Sequence, residues 1–329
     1  MTTIKDVAAR ADVSVATVSH VINNTRFVTA ELRERVITTM RELDYEPNLV
    51  ARGLRSNRTN LIALIIPDIT NPYFPEVARG VQDVVNEHDY VGILCNTDRD
   101  GAQERRFLHM LYRQHVEGII LNPAGVTADD LLPIQESGVH IVLLGRQIDH
   151  PSFDIVMIDD QQAAQEMVSY LIKRGHRRIA HLGGSRPNSG RLRHQGYVQA
   201  LEEHGLSFDA NLVVDCPWTQ RGGYDAIHHL LQRRPLPTAV FAANDLMAIG
   251  AMLGIQDAGL RVPDDIAVAG FDNIDEAACV TPALTTVHQP KYEMGKMLAE
   301  VLFRRLRKEA PYEAHRSILP YSLEIRASA

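Results

Sequence analysis

VSVATVSHVINNTRFV, residues 13–28, decides how this chain is read, because small apolar residues are interleaved there with serine, threonine, histidine and asparagine. Ile4, Val7, Ala8 and Ala11 recur at helical spacing before it, and Val18, Val21 and Ile22 repeat that spacing within it. The pattern predicts two short helices sharing one small core. Between them lies Ala11-Asp12-Val13-Ser14, where Ser14 is placed to cap the second helix by accepting a hydrogen bond from a first-turn N–H. Helices joined this briefly cross steeply, as in a helix-turn-helix, and Ser14, Val15, Ala16, Thr17, Ser19 and His20 are left off the core side. A solvated polar face accounts for those residues taken alone. In a helix-turn-helix, however, the second helix enters the DNA major groove by its N-terminal end, where such short side chains let base edges and phosphates approach. Thr29 is expected to cap a third helix, whose Leu32, Val36, Met40 and Leu43 close the core.

The following residues sharpen this reading. IKDVAARADVSVATVSHVINNTRFV (4–28), followed by LDYEPNLVARGLRSNRTNLIALIIPD (43–68), resembles the start of a lactose-repressor (LacI-type) transcription regulator. The similarity runs through essentially the whole chain and is nearest to the ribose and purine repressor branches. The resemblance implies an all-α helix-turn-helix headpiece (1–46), a hinge helix or linker (47–59) and an α/β periplasmic-binding-protein-like effector domain (60–329). That domain is expected as two doubly wound parallel-sheet subdomains, about 60–160 with 290–319 and about 161–289 with 320–329. The expected DNA-facing residues are Thr3, Ser14, Val15, Ala16, Thr17, His20, Asn23, Arg26, Leu54 and Arg55, and the expected partner is a pseudo-palindromic double-stranded operator. In PNLVARGLRSN (47–57) the proline suits a first helical turn, while Gly53 weakens the segment as a free helix. Leu54 matches the family's leucine that wedges into a minor-groove step, where paired hinges offset an unstacking cost of about a few kcal/mol.

Charge agrees with this division. Residues 1–60 hold nine Lys or Arg against seven Asp or Glu, a balance of +2, so the overall −7 leaves −9 for the remainder. DNA repels an acidic body, and a headpiece this weakly basic binds poorly alone, so two headpieces on one operator, and hence a homodimer, are expected. The three cysteines, Cys95, Cys216 and Cys279, show no metal-ligand spacing and fit a reducing cytoplasm. No apolar run suggests a signal peptide or a membrane span.

From Leu61 the chain alternates short apolar runs with helix-length stretches. LIALIIP (61–67), YVGILCN (90–96), EGIILNP (117–123) and HIVLLGR (140–146) form a first series; IVMIDD, RRIAHLGG, LVVDC, TAVFAAND and IAVAGFD form a second. They predict parallel strands buried on both faces, with a ligand cleft beyond their carboxyl ends. The residues there are Asn71, Tyr73, Phe74, Arg146, Ser189, Arg193, Trp218, Asn244, Asp272 and Gln289, with Asp245 as a helix cap. Aromatic rings cover the C–H faces of a sugar while amides, guanidinium groups and carboxylates satisfy its hydroxyls. All but Ser189 match ligand-contacting positions of ribose-type periplasmic sugar-binding proteins, although Gly145 stands where that pattern has an acidic residue.

The expected effector is therefore a monosaccharide, ribose or a similar pentose. A purine corepressor is the alternative within the family; it is disfavoured by Pro187, where the purine pattern has an arginine. An α/β sugar carrier or sugar enzyme is the alternative outside it. No GxGxxG, P-loop, GxSxG or HExxH signature is present, Asp159-Asp160 read as helix caps, and His228-His229 read as solvated. Neither a catalytic residue, a metal nor a cofactor is expected.

Overall fold

The computed structural model describes residues 2–23, 26–45, 59–145, 148, 150–183, 189–309 and 313–329, without the Asn23 side chain. Leu54, Arg55, Arg146 and the hinge segment 47–58 lie outside the described residues. The chain divides into two compact units, Met1–Asn60 and Leu61–Ala329.

In the first unit, α1 (Ile4–Arg10), α2 (Val15–Asn23) and α3 (Ala30–Glu42) enclose Val7, Ala8, Ala11, Val18, Val21 and Val36. The turn between α1 and α2 passes through Asp12 at φ +50°, a left-handed conformation that short Asp side chains tolerate. Ser14 then accepts from the Thr17 N–H at 3.0 Å, the expected cap. Thr29 differs from expectation. Its hydroxyl makes no capping bond; only its backbone carbonyl serves α3, accepting from the Arg33 N–H at 3.0 Å.

The second unit holds two parallel sheets. The first runs β11 (Arg316–Ile318), β5 (Asp154–Met157), β4 (His140–Leu144), β3 (Gly118–Leu121), β1 (Leu61–Ile66), β2 (Val91–Asn96) in spatial order, every neighbour parallel. Four strands make the second, in the order β7 (Val213–Val214), β6 (Ile179–Leu182), β8 (Ala239–Ala242), β9 (Ala267–Ala269). β10 (Thr286–His288) and β12 (Ser322–Glu324) form an antiparallel pair. In both sheets the first strand lies inside and the chain steps outward to either side, so each has a switch point where the loops diverge and leave a crevice.

Strand chemistry follows from burial. In β1, Ile62, Leu64 and Ile66 enter one core while Ala63 and Ile65 enter another, so the strand is apolar on both faces. The edges depart from the expected double burial. Val91 and Leu94 on β2 are 57% and 47% exposed, and Ile318 on β11 is 62% exposed, because an edge strand lacks a neighbour and is only partly covered.

Helix pairs clothe the sheets, and glycine sets their closest approach. In the first sheet's layer, α4 (Tyr73–Glu87) packs on α12 (Lys291–Leu306). A Cβ on Gly80 would stand 2.1 Å from the Tyr292 carbonyl oxygen, and one on Gly295 would stand 2.1 Å from that of Val77. No side chain fits at either crossing point. The second layer includes α7 (Asp160–Lys173), α8 (Ser189–Glu203), α9 (Gln220–Leu231) and α10 (Asp245–Asp257).

Candidate functional site

The strand ends of both sheets converge on one cavity of about 90 Å³, walled by Asn71, Tyr73, Phe74, Arg99, Asn122, Asp160, Ser189, Arg193, Trp218, Asp272 and Gln289 among others.

Local structure fixes each wall. Asn71 accepts from the Tyr73 N–H at 3.1 Å, tying the loop after β1 to the start of α4. Tyr73 and Phe74 then meet edge to face, centroids 5.1 Å apart. Arg193, one turn into α8, is buried at the centre. Its Nε donates to Asp160 Oδ1 at 2.7 Å, and its Nη1 donates to the Ala243 carbonyl at 2.5 Å and to Asp272 Oδ1 at 3.3 Å. Its guanidinium also lies 3.6 Å from the Phe271 ring centroid and 5.5 Å from that of Trp218. Gln289 Nε2 donates to the same Asp272 oxygen at 2.7 Å.

One cation thus serves two carboxylates in a water-poor site. Burial raises the Asp160 carboxyl above its usual range against the pull of Arg193. The Asp272 carboxyl is pushed up to about 7, again by burial, with Arg193 opposing and the Asp245 charge reinforcing it. Asp245 itself rises to about 6 through burial, although Thr286 Oγ1 and the Ile274 N–H both donate to it.

Eight of the ten expected effector residues line the cavity: Asn71, Tyr73, Phe74, Ser189, Arg193, Trp218, Asp272 and Gln289. Arg146 is outside the described residues. Asn244 is not in the lining; it caps α10, accepting from the Met247 N–H at 2.9 Å. Asp245 sits one residue further, fully buried, and ties the loop at Ile274 instead of acting as the cap. Sequence reading missed Asp160, Arg99 and Asn122. Asp159 does cap α7, accepting from the Gln162 N–H at 2.9 Å, but Asp160 beside it turns inward to Arg193. Its position just past a strand was the available signal. Arg99 was harder to find: it lies in a loop where Asp98 and Arg99 both have positive φ, and it pairs with Asp68 at 3.6 Å. Among the described residues, no group of three or more His, Cys, Asp or Glu side chains is placed to hold a metal.

In the headpiece, Ser14, Val15 and Ala16 are exposed, and Thr17, Ser19 and His20 half-buried. Ser14 and Thr17 share a hydroxyl contact of 2.8 Å. Arg26 is exposed. Thr3 precedes α1 at its N-cap, exposed, its hydroxyl donating to Asp6 at 2.7 Å, which leaves its oxygen able to accept. For Asn23 only the backbone, in α2, is described.

A helix-turn-helix with a small, polar second helix, on one chain with a two-sheet cleft lined by charge pairs and aromatics, defines a ligand-responsive DNA-binding regulator. The chain belongs to the LacI family. Its residues 3–48 match the bacterial regulatory proteins of that family, and 59–321 match the family of periplasmic binding proteins and LacI sugar-binding domains. It is 37% identical to catabolite control protein A of Priestia megaterium, across 99% of this chain and 98% of that protein. Identity is 39% to the transcriptional repressor PurR of Serratia proteamaculans (93% and 91% covered). It is 35% to a ribose operon repressor of Halalkalibacterium halodurans (99% and 96%). Among solved structures, the lac repressor dimer bound to operator and the anti-inducer ONPF superposes with a TM-score of 0.89 at 28% identity, covering 99% and 98% of the two chains. An Enterococcus faecium family member with bound ribose gives 0.75 at 30% identity (82% and 98%). These relatives are regulators of transcription, not enzymes, and among the described residues no helix is long and apolar enough to cross a membrane.

Proposed function

We propose that this protein is a homodimeric repressor whose grip on a pseudo-palindromic operator is set by a neutral monosaccharide, ribose or a similar pentose, held in the cleft. The observation that carries the ligand class is the charge balance of the cavity. Arg99 and Arg193 face Asp160 and Asp272, and Arg193 is already engaged by both carboxylates, so an anionic ligand such as a sugar phosphate finds no uncommitted cation at the centre. A polyhydroxylated neutral ligand instead donates to the carboxylates and accepts from the amides. The buried Trp218 Nε1 has no protein acceptor and is offered to the ligand. A purine is the second reading, favoured by the kinship with PurR and by flat walls at Phe74 and Trp218. The division into headpiece, hinge and two subdomains assigns DNA contact to Thr3, Ser14, Val15, Ala16, Thr17, His20, Asn23, Arg26, Leu54 and Arg55. The apolar edge of β2 supports self-association.

The deciding experiment uses Trp218, the single tryptophan of the chain, as reporter. Pentoses, hexoses, their phosphates, hypoxanthine and guanine are titrated while fluorescence and melting temperature are followed. A pentose at about 100 times its Kd adds about 2.7 kcal/mol, or about 4–5 °C of melting temperature at this size, and alters Trp218 emission. A response confined to purines, or to phosphorylated sugars, defeats the pentose reading.

For the DNA-reading helix, His20→Ala is expected to change base preference at particular operator positions, by about 1–3 kcal/mol at each. Arg55→Ala is expected to weaken all sequences alike and lower the salt dependence. Equal losses on matched and scrambled operators for His20→Ala would remove it from base reading.

A further inference from the structure

Lys291, the first residue of α12, is only 3% exposed although lysine is among the residue types least often fully buried. Its ammonium donates to the Asn273 carbonyl at 2.6 Å and to the Asp272 carbonyl at 3.3 Å, and pairs with Glu76 Oε1 at 3.2 Å. The first two acceptors lie on the loop after β9 that presents Asp272 to the cavity. Glu76 lies in the first turn of α4, which presents Tyr73 and Phe74 from the other sheet's layer.

The loop needs such a hold. Asp272 has φ +120° and Asn273 φ +54°, two successive non-glycine residues in the left-handed half of the map. Such conformations persist only where the surroundings over-determine them. The turn's other ties come from the second sheet's own neighbourhood and include the Asp272 N–H to the Val287 carbonyl at 2.9 Å, the Asn273 N–H to Thr286 Oγ1 at 3.4 Å, Asn273 Nδ2 with His288 Nδ1 at 3.0 Å, the Ile274 N–H to Asp245 at 2.9 Å, and Arg326 Nη2 to Asn273 Oδ1 at 2.7 Å. Lys291 joins this loop to α4. An ammonium suits the task because its three tetrahedral donors meet two carbonyls and a carboxylate on different elements, and because the carboxylate compensates a charge that burial would otherwise penalise.

We propose that Lys291 is a positioning residue: it clamps the Asp272–Asn273 turn to the first turn of α4, so that the cavity's carboxylate and its aromatic edge move as one unit when the effector binds. The clamp rests on the reading of the cavity as an effector site, and through it ligand contact at Asp272 is passed to α4 and α12.

The test uses the full-length chain with Lys291→Met and Glu76→Gln. Hydrogen exchange of peptides spanning 270–275 and 73–77 is followed without ligand, and operator affinity is measured with and without saturating ribose. Lys291→Met is expected to speed exchange about tenfold in both peptides. It should leave ribose-free operator affinity within about threefold and reduce the ratio of affinities, about 5–150-fold in such systems, to under about twofold. Glu76→Gln, whose side chain is 43% exposed and whose change spares the fold, should accelerate exchange in 73–77 and reduce the ratio partially; it carries the test if Lys291→Met does not fold. For Lys291→Met, unchanged exchange, acceleration confined to one peptide, or an intact ratio overturns the assignment; for Glu76→Gln, unchanged exchange in 73–77 or an intact ratio does. If ribose leaves the wild-type protein's operator affinity unchanged, the pentose reading fails. The ligand-free exchange of the two peptides then decides the clamp alone, concerted acceleration supporting it and independent behaviour overturning it.

Discussion

Asp272→Ala is expected to abolish the effector response while the effector-free protein still binds operator. The carboxylate accepts from Arg193 and Gln289 inside the cavity, so its removal deletes the acceptor offered to a ligand hydroxyl and leaves two buried donors short of a partner. Truncating one side of a buried, hydrogen-bonded charge pair costs about 2–5 kcal/mol in binding, or about thirtyfold to several thousandfold in Kd. The headpiece shares none of these contacts, so operator affinity without ligand should be preserved. Titration calorimetry and a gel-shift series measure the two quantities separately. Retained effector affinity in Asp272→Ala would place the ligand elsewhere.

Arg193→Met is expected to have the larger effect on stability. It leaves Asp160 and Asp272 buried without their shared cation, a loss of about 3–5 kcal/mol, or about 4–9 °C in melting temperature at this chain size. The pH dependence has a definite sign. In the unfolded chain both carboxyls titrate near about 3.9, whereas burial raises both in the folded protein, Asp272 to about 7. Between those values the native state holds more protons than the unfolded state, so stability falls as pH rises through the window. Losing the Arg193 charge raises both carboxyls further and widens it. The deficit of Arg193→Met against the wild type should therefore be small near pH 5 and large near pH 8. A deficit independent of pH would mean that the arginine acts only through packing on Phe271 and Trp218.

Much of this was legible in the residues. The headpiece core from Val7 to Val36 follows helical spacing, and the strands follow apolar runs, because both patterns are dictated by local periodicity. The cavity set was recoverable because its members follow the carboxyl ends of strands, in the loops or in the first turns of the helices after them, where parallel sheets place their ligand sites. What failed was chemistry decided by tertiary direction. Adjacent Asp159 and Asp160 look alike in sequence, yet one caps a helix and the other turns to Arg193. Asn244, expected in the cavity, takes the cap expected of Asp245, and Asp245 instead ties the loop at Ile274, for the same reason: a helix start has one cap position, and a shift of one residue turns a side chain about 100° around the helix axis. Lys291, an ordinary lysine after Gln289-Pro290, carries no local sign of being buried.

The glycine crossing between α4 and α12 bears on how this protein can vary. Because Gly80 and Gly295 bring one backbone against the other with no side chain between, the two helices cannot accommodate a methyl group by rotamer adjustment. Each added Cβ must push a whole helix, and the two ends of that lever are Tyr73 with Phe74 and Lys291. Alleles altered at these glycines should therefore appear as thermosensitive derepression or loss of the effector response, mapping far from the cavity yet mimicking lesions within it.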